Sequence, residues 1–179
     1  YEQVLGLLAD DERVQRAEAL KQLATVTNYV GDADASLRHA EAGAELCESL
    51  GDKRNAVMLH LHIQMLYGQQ WDGAREDMGL KHLEAAAALV EFDPDSVEKG
   101  LVYQRTGHLY LHRSQPTTTL EWAQQAVDMF TRLGVSMGTS LGTALTYAGR
   151  IDEGIAYSEK NWEPVRKAAI PVVMAVMGH

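Results

Sequence analysis

The feature that most constrains this chain is that it resembles itself. Moved forward by 83 residues, the stretch from Leu20 to Gly51 falls on a second copy of its own pattern. Ala24 meets Gly107, Thr27 meets Tyr110, Ser36 meets Thr119 and Leu37 meets Leu120. Further along, Ala40 meets Ala123, Gly43 meets Ala126, Leu46 meets Met129, Cys47 meets Phe130 and Gly51 meets Gly134. A further step of 35 residues carries Gly107 to Gly142, Thr119 to Gly154 and Leu120 to Ile155. Small residues meet small ones and large apolar residues meet large apolar ones. A periodic set in register implies repeated supersecondary units, each unable to bury its apolar face alone.

Within a unit the apolar spacing is helical. Leu20, Leu23, Ala24 and Thr27 follow the i, i+3, i+4, i+7 pattern, as do Leu37, Ala40, Ala44 and Cys47. The breaks fall at Gly31-Asp32, Gly51-Asp52, Asp93-Pro94-Asp95, Ser114-Gln115-Pro116, Gly134 and Gly149-Arg150. A glycine can take the left-handed conformation that ends a helix, and an aspartate after it can accept the free N–H groups of the next. The pattern predicts helices at about 11–30, 32–50, 53–69, 71–92, 95–113, 116–133, 136–148 and 151–168, with a ninth beginning near Pro171. No stretch alternates like a strand. The expected fold is all-α: a right-handed α-solenoid of about four antiparallel helix pairs forming one domain over 1–179. Its units run roughly 11–51, 52–93, 94–134 and 135–169, and 170–179 starts a further helix. In the second unit Leu61 and His62 compete for the position that Ala24 holds in the first.

Two-helix units with a small residue in the first helix, an aromatic three residues on and small residues in the second resemble tetratricopeptide repeats. Gly107-His108-Leu109-Tyr110, followed by Ala123 and Ala126, carries the likeness best, and it extends over roughly 12–169. Thr27 stands where the aromatic is usual in the first unit, Asn161 where a small residue is usual in the fourth, and the second unit is stretched. The segments Glu48-Ser49-Leu50-Gly51-Asp52-Lys53-Arg54 and Thr146-Tyr147-Ala148-Gly149-Arg150-Ile151-Asp152-Glu153-Gly154 further resemble the helical-repeat regions of large bacterial signalling proteins. Those regions accompany an ATPase domain, often with a nucleotide cyclase or DNA-binding domain elsewhere. The resemblance implies a regulatory scaffold rather than an enzyme.

Composition narrows the class. The 179 residues are 46% hydrophobic, too apolar for disorder, and carry a formal charge of −9. That balance argues against non-specific nucleic-acid binding, since a phosphate backbone rewards clustered Lys and Arg. No apolar run approaches the roughly 18–20 residues of a membrane helix. The single cysteine, Cys47, excludes an internal disulfide framework and any multi-cysteine zinc site. The first residues lack the basic region of a secretory signal, so a cytoplasmic setting is expected.

Several constellations carry possible chemistry. Gly138-Thr139-Ser140-Leu141-Gly142 matches the G-x-S-x-G nucleophile elbow, which works only on a strand-to-helix turn. A predicted helix precedes it, and Gly142 is also the repeat's small packing position. His108 and His112 lie four apart on one helix face, but Leu109 replaces the glutamate of H-E-x-x-H. His60 and His62 point to different faces. No Gly-Lys-Ser or Gly-Lys-Thr supports a phosphate loop. Acidic groups at Asp10-Asp11-Glu12, Asp93 and Asp95, and Asp152-Glu153 sit at helix starts, where they offset the macrodipole. Cys47 reads as a buried thiol, and Trp122 and Trp162 as packing residues. Neither catalytic residues, a metal nor a cofactor are expected.

What remains is a groove. In stacked helix pairs the first helices line a concave side. The residues one turn either side of the small position then face a ligand: Lys21, Thr25 and Asn28; Gln104, His108 and Leu111; Thr139, Thr143 and Thr146. The expected partner is a protein or peptide, or another domain of the same polypeptide. A small-molecule inducer is the alternative, and an all-α enzyme the remote one. The chain opens on Tyr1 and closes at His179 within an apolar strip, Ile170 to Met177, so it reads as a piece of a longer array. That strip is expected to pack on a further repeat or to self-associate.

Overall fold

The computed structural model describes residues 12–69, 73–135 and 140–161. They are all-α, with no strand among the described residues. The helices are α1 (Arg13–Tyr29), α2 (Ala33–Leu50), α3 (Lys53–Gln69), α4 (Gly73–Val90), α5 (Val97–His112), α6 (Pro116–Arg132) and α7 (Leu141–Tyr147). An eighth, α8, runs over 151–161. The eight helices expected up to 168 each have a counterpart; the ends of the first six are displaced by two residues or fewer, while α7, expected over 136–148, is described only from Leu141 to Tyr147. The ninth helix and the strip Ile170 to Met177 lie outside the described residues. The chain divides into two compact units, Tyr1–Pro94 and Asp95–His179, at the Asp93-Pro94-Asp95 break.

One local device ends five of these helices. At Gly31, Gly51, Ser114, Gly134 and Gly149 the backbone turns left-handed, with φ of 85°, 72°, 55°, 66° and 81°. Each of these residues donates its N–H three residues back, and the residue after it donates five residues back. Gly51 N bonds Glu48 O at 3.0 Å while Asp52 N bonds Cys47 O at 2.9 Å; Ser114 N bonds Leu111 O at 3.0 Å while Gln115 N bonds Tyr110 O at 3.0 Å. This is the Schellman closure, which satisfies the orphan carbonyls of a helix end. Asp32 caps α2 through Ala35 N at 2.9 Å, and Asp52 accepts from Asn55 N at 3.2 Å at the start of α3. Ser96 likewise caps α5 through Lys99 N at 3.1 Å.

Ser114 is the one non-glycine residue with positive φ among those described. A side chain there costs about 1–2 kcal/mol, and glycine's greater freedom when unfolded costs roughly 0.5–1 kcal/mol. Ser114→Gly is therefore expected to stabilise the second unit by about 0.5–1 kcal/mol. A urea midpoint that stays put or falls would count against this account of the turn.

In the first unit α1 and α2 run antiparallel, since Arg13 at the start of one donates to Ser49 Oγ near the end of the other at 2.7 Å. Their crossing is made by small residues twelve apart. The Ser36 hydroxyl, fully buried, donates to Ala24 O at 2.7 Å. Its one hydrogen is thereby used, so it accepts from His62 Nε2 at 2.9 Å and ties α3 to the same point. Ala17, Ala24, Ala40, Ala44 and Cys47 form one core with Ala56, Leu59, Ile63 and Tyr67 of α3. α4 returns along α3, where a Cβ at Gly79 would lie 3.2 Å from Tyr67 Cβ. Lys53 and Asp93, 2.9 Å apart, join the start of α3 to the turn after α4.

The second unit repeats the arrangement with different volumes. Gly107 lies against Thr119 O and Ala123 N of α6, and Gly142 against Gly154 O of α8, again with partners twelve apart. The positions matched by the 83-residue shift share their burial: Ser36 and Thr119, Ala40 and Ala123, and Cys47 and Phe130 are all buried. The shift also pairs Ala17 with Gly100. A Cβ on Gly100 would lie 2.5 Å from the Phe130 ring. Where the first unit holds alanine and cysteine, the second therefore holds glycine and phenylalanine, and the larger ring occupies the space the glycine leaves. Ala123, Leu141, Ala144 and Leu145 extend this core into α7.

Candidate functional site

The residues expected to face a ligand are distributed over both units, and each unit is described by itself. In the first, Lys21, Thr25 and Asn28 lie along α1, with Thr25 exposed and the other two half-buried. Lys21 is engaged. Its ammonium pairs with Glu18 at 2.5 Å and donates to Asn55 Oδ1 of α3 at 3.1 Å. Asn55 is held in turn by Asp52 Oδ2 at 2.7 Å. Hydrogen bonds from Gln22 first, then Lys21, hold the Glu18 carboxyl below the usual carboxylate range, and the Asn55 amide does the same for Asp52. Thus α1 and α3 share one polar face, and Asn55 belongs to it. The sequence missed Asn55 because α3 had no unique register. The 34-residue spacing from Lys21 was the available signal.

In the second unit Gln104, His108 and Leu111 are half-buried along α5. Burial, then Arg105 and then His112, depress the pKa of His108. Proximity to Arg105 is a poor setting for a cation ligand, and among the described residues no group of three His, Cys, Asp or Glu is placed to hold a metal. Thr143 and Thr146 are exposed and line a shallow groove of about 310 Å³ with Gly142, Tyr147, Gly154, Ile155, Ser158 and Glu159. The Thr146 hydroxyl donates back to Gly142 O at 2.9 Å. Thr139 lies outside the described residues.

A second open groove, of about 500 Å³, lies between α1 and α2 and is lined by Arg16, Leu20, Ala42, Glu45, Leu46 and Ser49. It is formed by both helices of a pair, so a reading confined to first-helix faces does not reach it.

Several of the remaining singled-out side chains are buried or paired. Ser140 precedes α7 and is buried, and the element described before it is the helix α6 rather than a strand. Cys47 is buried, and desolvation pushes its thiol pKa up, away from a reactive thiolate. Trp122 packs on Tyr103 with ring centroids 5.4 Å apart. Asp95 pairs with Arg132 at 2.6 Å and Glu153 with Arg150 at 2.6 Å, both within the second unit. Trp162, Asp10 and Asp11 lie outside the described residues. No helix among those described is long and apolar enough to cross a membrane. No protein-family model matches the sequence, and no curated protein matches it.

Proposed function

We propose that this chain is a non-catalytic interaction scaffold of tetratricopeptide-like helix pairs stacked as a right-handed solenoid, a regulatory segment of a larger signalling protein. The observation that carries the reading is the recurrent crossing of small residues twelve apart, at Ala24 and Ser36, Gly107 and Thr119, and Gly142 and Gly154. Close crossings of this kind leave the first helices free to present polar side chains side by side, as Lys21 and Asn55 do. The face they form is polar and lacks the row of basic residues that clamps a peptide's terminal carboxylate. An internal segment of a protein, taken extended or as a helix, fits it better than a free C-terminus.

The test is selection from a displayed library of random 16-residue peptides. Peptides binding with micromolar Kd are expected, and Thr25→Arg or Thr143→Arg should weaken them at least about tenfold, or roughly 1.4 kcal/mol. Both threonines are exposed, so folding should shift by no more than about 0.5 kcal/mol. Failure to enrich any peptide, or binding indifferent to both substitutions, would sink the reading. The groove beside Thr143 and Thr146 favours a second one, a small inducer, because its volume reaches the lower end of ligand pockets, roughly 300–1,000 Å³. A thermal-shift screen with nucleotides, sugars and acyl compounds separates the two.

A further inference from the structure

Three successive helices of the first unit are joined by a chain of polar side chains that the scaffold reading does not use. Glu48 stands on α2, His60 on α3 and His82 on α4. His60 Nε2 lies 2.8 Å from Glu48 Oε1, and His60 Nδ1 lies 2.9 Å from His82 Nδ1. The rings are 5.1 Å apart and tilted by 40°. His60 is only 6% exposed. The Glu48 side chain is 47% exposed, so the chain runs from near solvent into the core.

Elementary valence orders the hydrogens. An ionised carboxylate only accepts, so His60 carries its hydrogen on Nε2. Neutral His60 then offers a lone pair at Nδ1, and His82 must present Nδ1–H to it. One added proton can be taken at His82 Nε2 without disturbing either bond. A second proton sets N–H against N–H across 2.9 Å, with two like charges on adjacent rings. It is this second proton that breaks the contact.

We propose that Glu48, His60 and His82 form an acid-operated latch, which holds α4 against α3 and α2 until the histidine pair takes up its second proton. Among the described residues, the other titratable groups with a contact at the latch are Tyr67, whose ring stacks on His82 at 6.2 Å, and Glu41, which accepts from the Tyr67 hydroxyl at 3.4 Å. Neither puts a positive charge beside the pair. Burial, and next the neighbouring His60, hold His82 below the ordinary histidine range, while Glu48 offsets part of that. The unfolded chain therefore takes up the proton first. The stability the latch supplies is complete above about pH 6.5; it survives the first proton, taken on His82, and is lost when the second arrives.

Two measurements on the whole chain decide it. Ring-nitrogen NMR at pH 7.5 should find the Nε2–H tautomer on His60 and the Nδ1–H tautomer on His82. Finding Nε2–H on both rings would overturn the proposal. Hydrogen-exchange protection of the α4 amides, corrected for the intrinsic rate, should fall about tenfold between pH 7 and 5, the order expected for losing one buried hydrogen bond. The amides of α6 serve as the internal control. His82→Phe keeps a ring over Tyr67 but cannot titrate, so its α4 protection should be flat over that range. Should that variant fail to fold, His82→Gln gives the same comparison. Equal pH dependence in wild type and the folded variant would refute the latch.

Discussion

Phe130→Ala is expected to lower the stability of the second unit by about 3–5 kcal/mol, the range for emptying a buried phenylalanine site. The ring is 2% exposed and occupies space that exists only because Gly100 has no side chain. Alanine would leave a void between α5 and α6 that neither helix can close, since Gly107 already rests on Thr119 and Ala123 further along. Urea denaturation followed by helical circular dichroism measures the loss. A double-mutant cycle tests the cause. Gly100→Ala alone should gain roughly 1 kcal/mol of helix propensity yet lose about 1–3 kcal/mol from overpacking. In the Phe130→Ala background the loss should vanish and the gain remain. Additivity of the two changes within about 0.5 kcal/mol would show that ring and glycine do not oppose one another.

Gly154→Leu should cost about 3 kcal/mol, the upper end for overpacking. The reason is what a side chain there would strike. Its Cβ would lie 2.7 Å from the Gly142 carbonyl and 3.0 Å from the Thr146 nitrogen, and both are backbone atoms. A side chain can rotate away, but a helix backbone can only be pushed off. α7 and α8 would have to part. Gly107 makes the control. Its Cβ would sit 3.4–3.5 Å from Trp122, Ala123 and Thr119, which is ordinary contact, so Gly107→Ala should cost nothing and gain up to about 1 kcal/mol of helix propensity. Gly107→Leu exceeds that space and should cost on the order of 2–4 kcal/mol. Melting curves for the three variants give the order directly, and equal losses for Gly154→Leu and Gly107→Ala would contradict the geometry.

The helices were legible because two local signals agree in this chain. Apolar spacing sets the period, and a glycine followed by a polar residue marks the ends of α1, α2 and α7, so expected and observed boundaries of the first six helices lie within two residues. The pair crossings were legible from small residues alone. Gly100 was not, because its partner under the shift, Ala17, lies three residues before the matched stretch begins at Leu20. The register of α3 was not legible either. Ala56, Val57, Leu59, His60, Leu61, Ile63, Leu66 and Tyr67 are all buried, and a helix covered on nearly every side has no amphipathic stripe to read. The histidine chain had no motif at all. Glu48, His60 and His82 are 12 and 22 residues apart on three helices, and only folding brings them together.

The exchange of volumes between the two units limits how their parts can be recombined. A hybrid hairpin with the first helix of one unit and the second helix of the other would place Phe130 against Ala17, or Cys47 against Gly100. The first combination is too full and the second hollow. Whole hairpins carry their own complement and can be moved as modules, whereas single helices cannot. The repeat is thus interchangeable in outline and private in its interior. A designer cutting this chain for shuffling should place the joints at the left-handed turns that follow α2 and α6, after Gly51 and Gly134, and not at those within each pair.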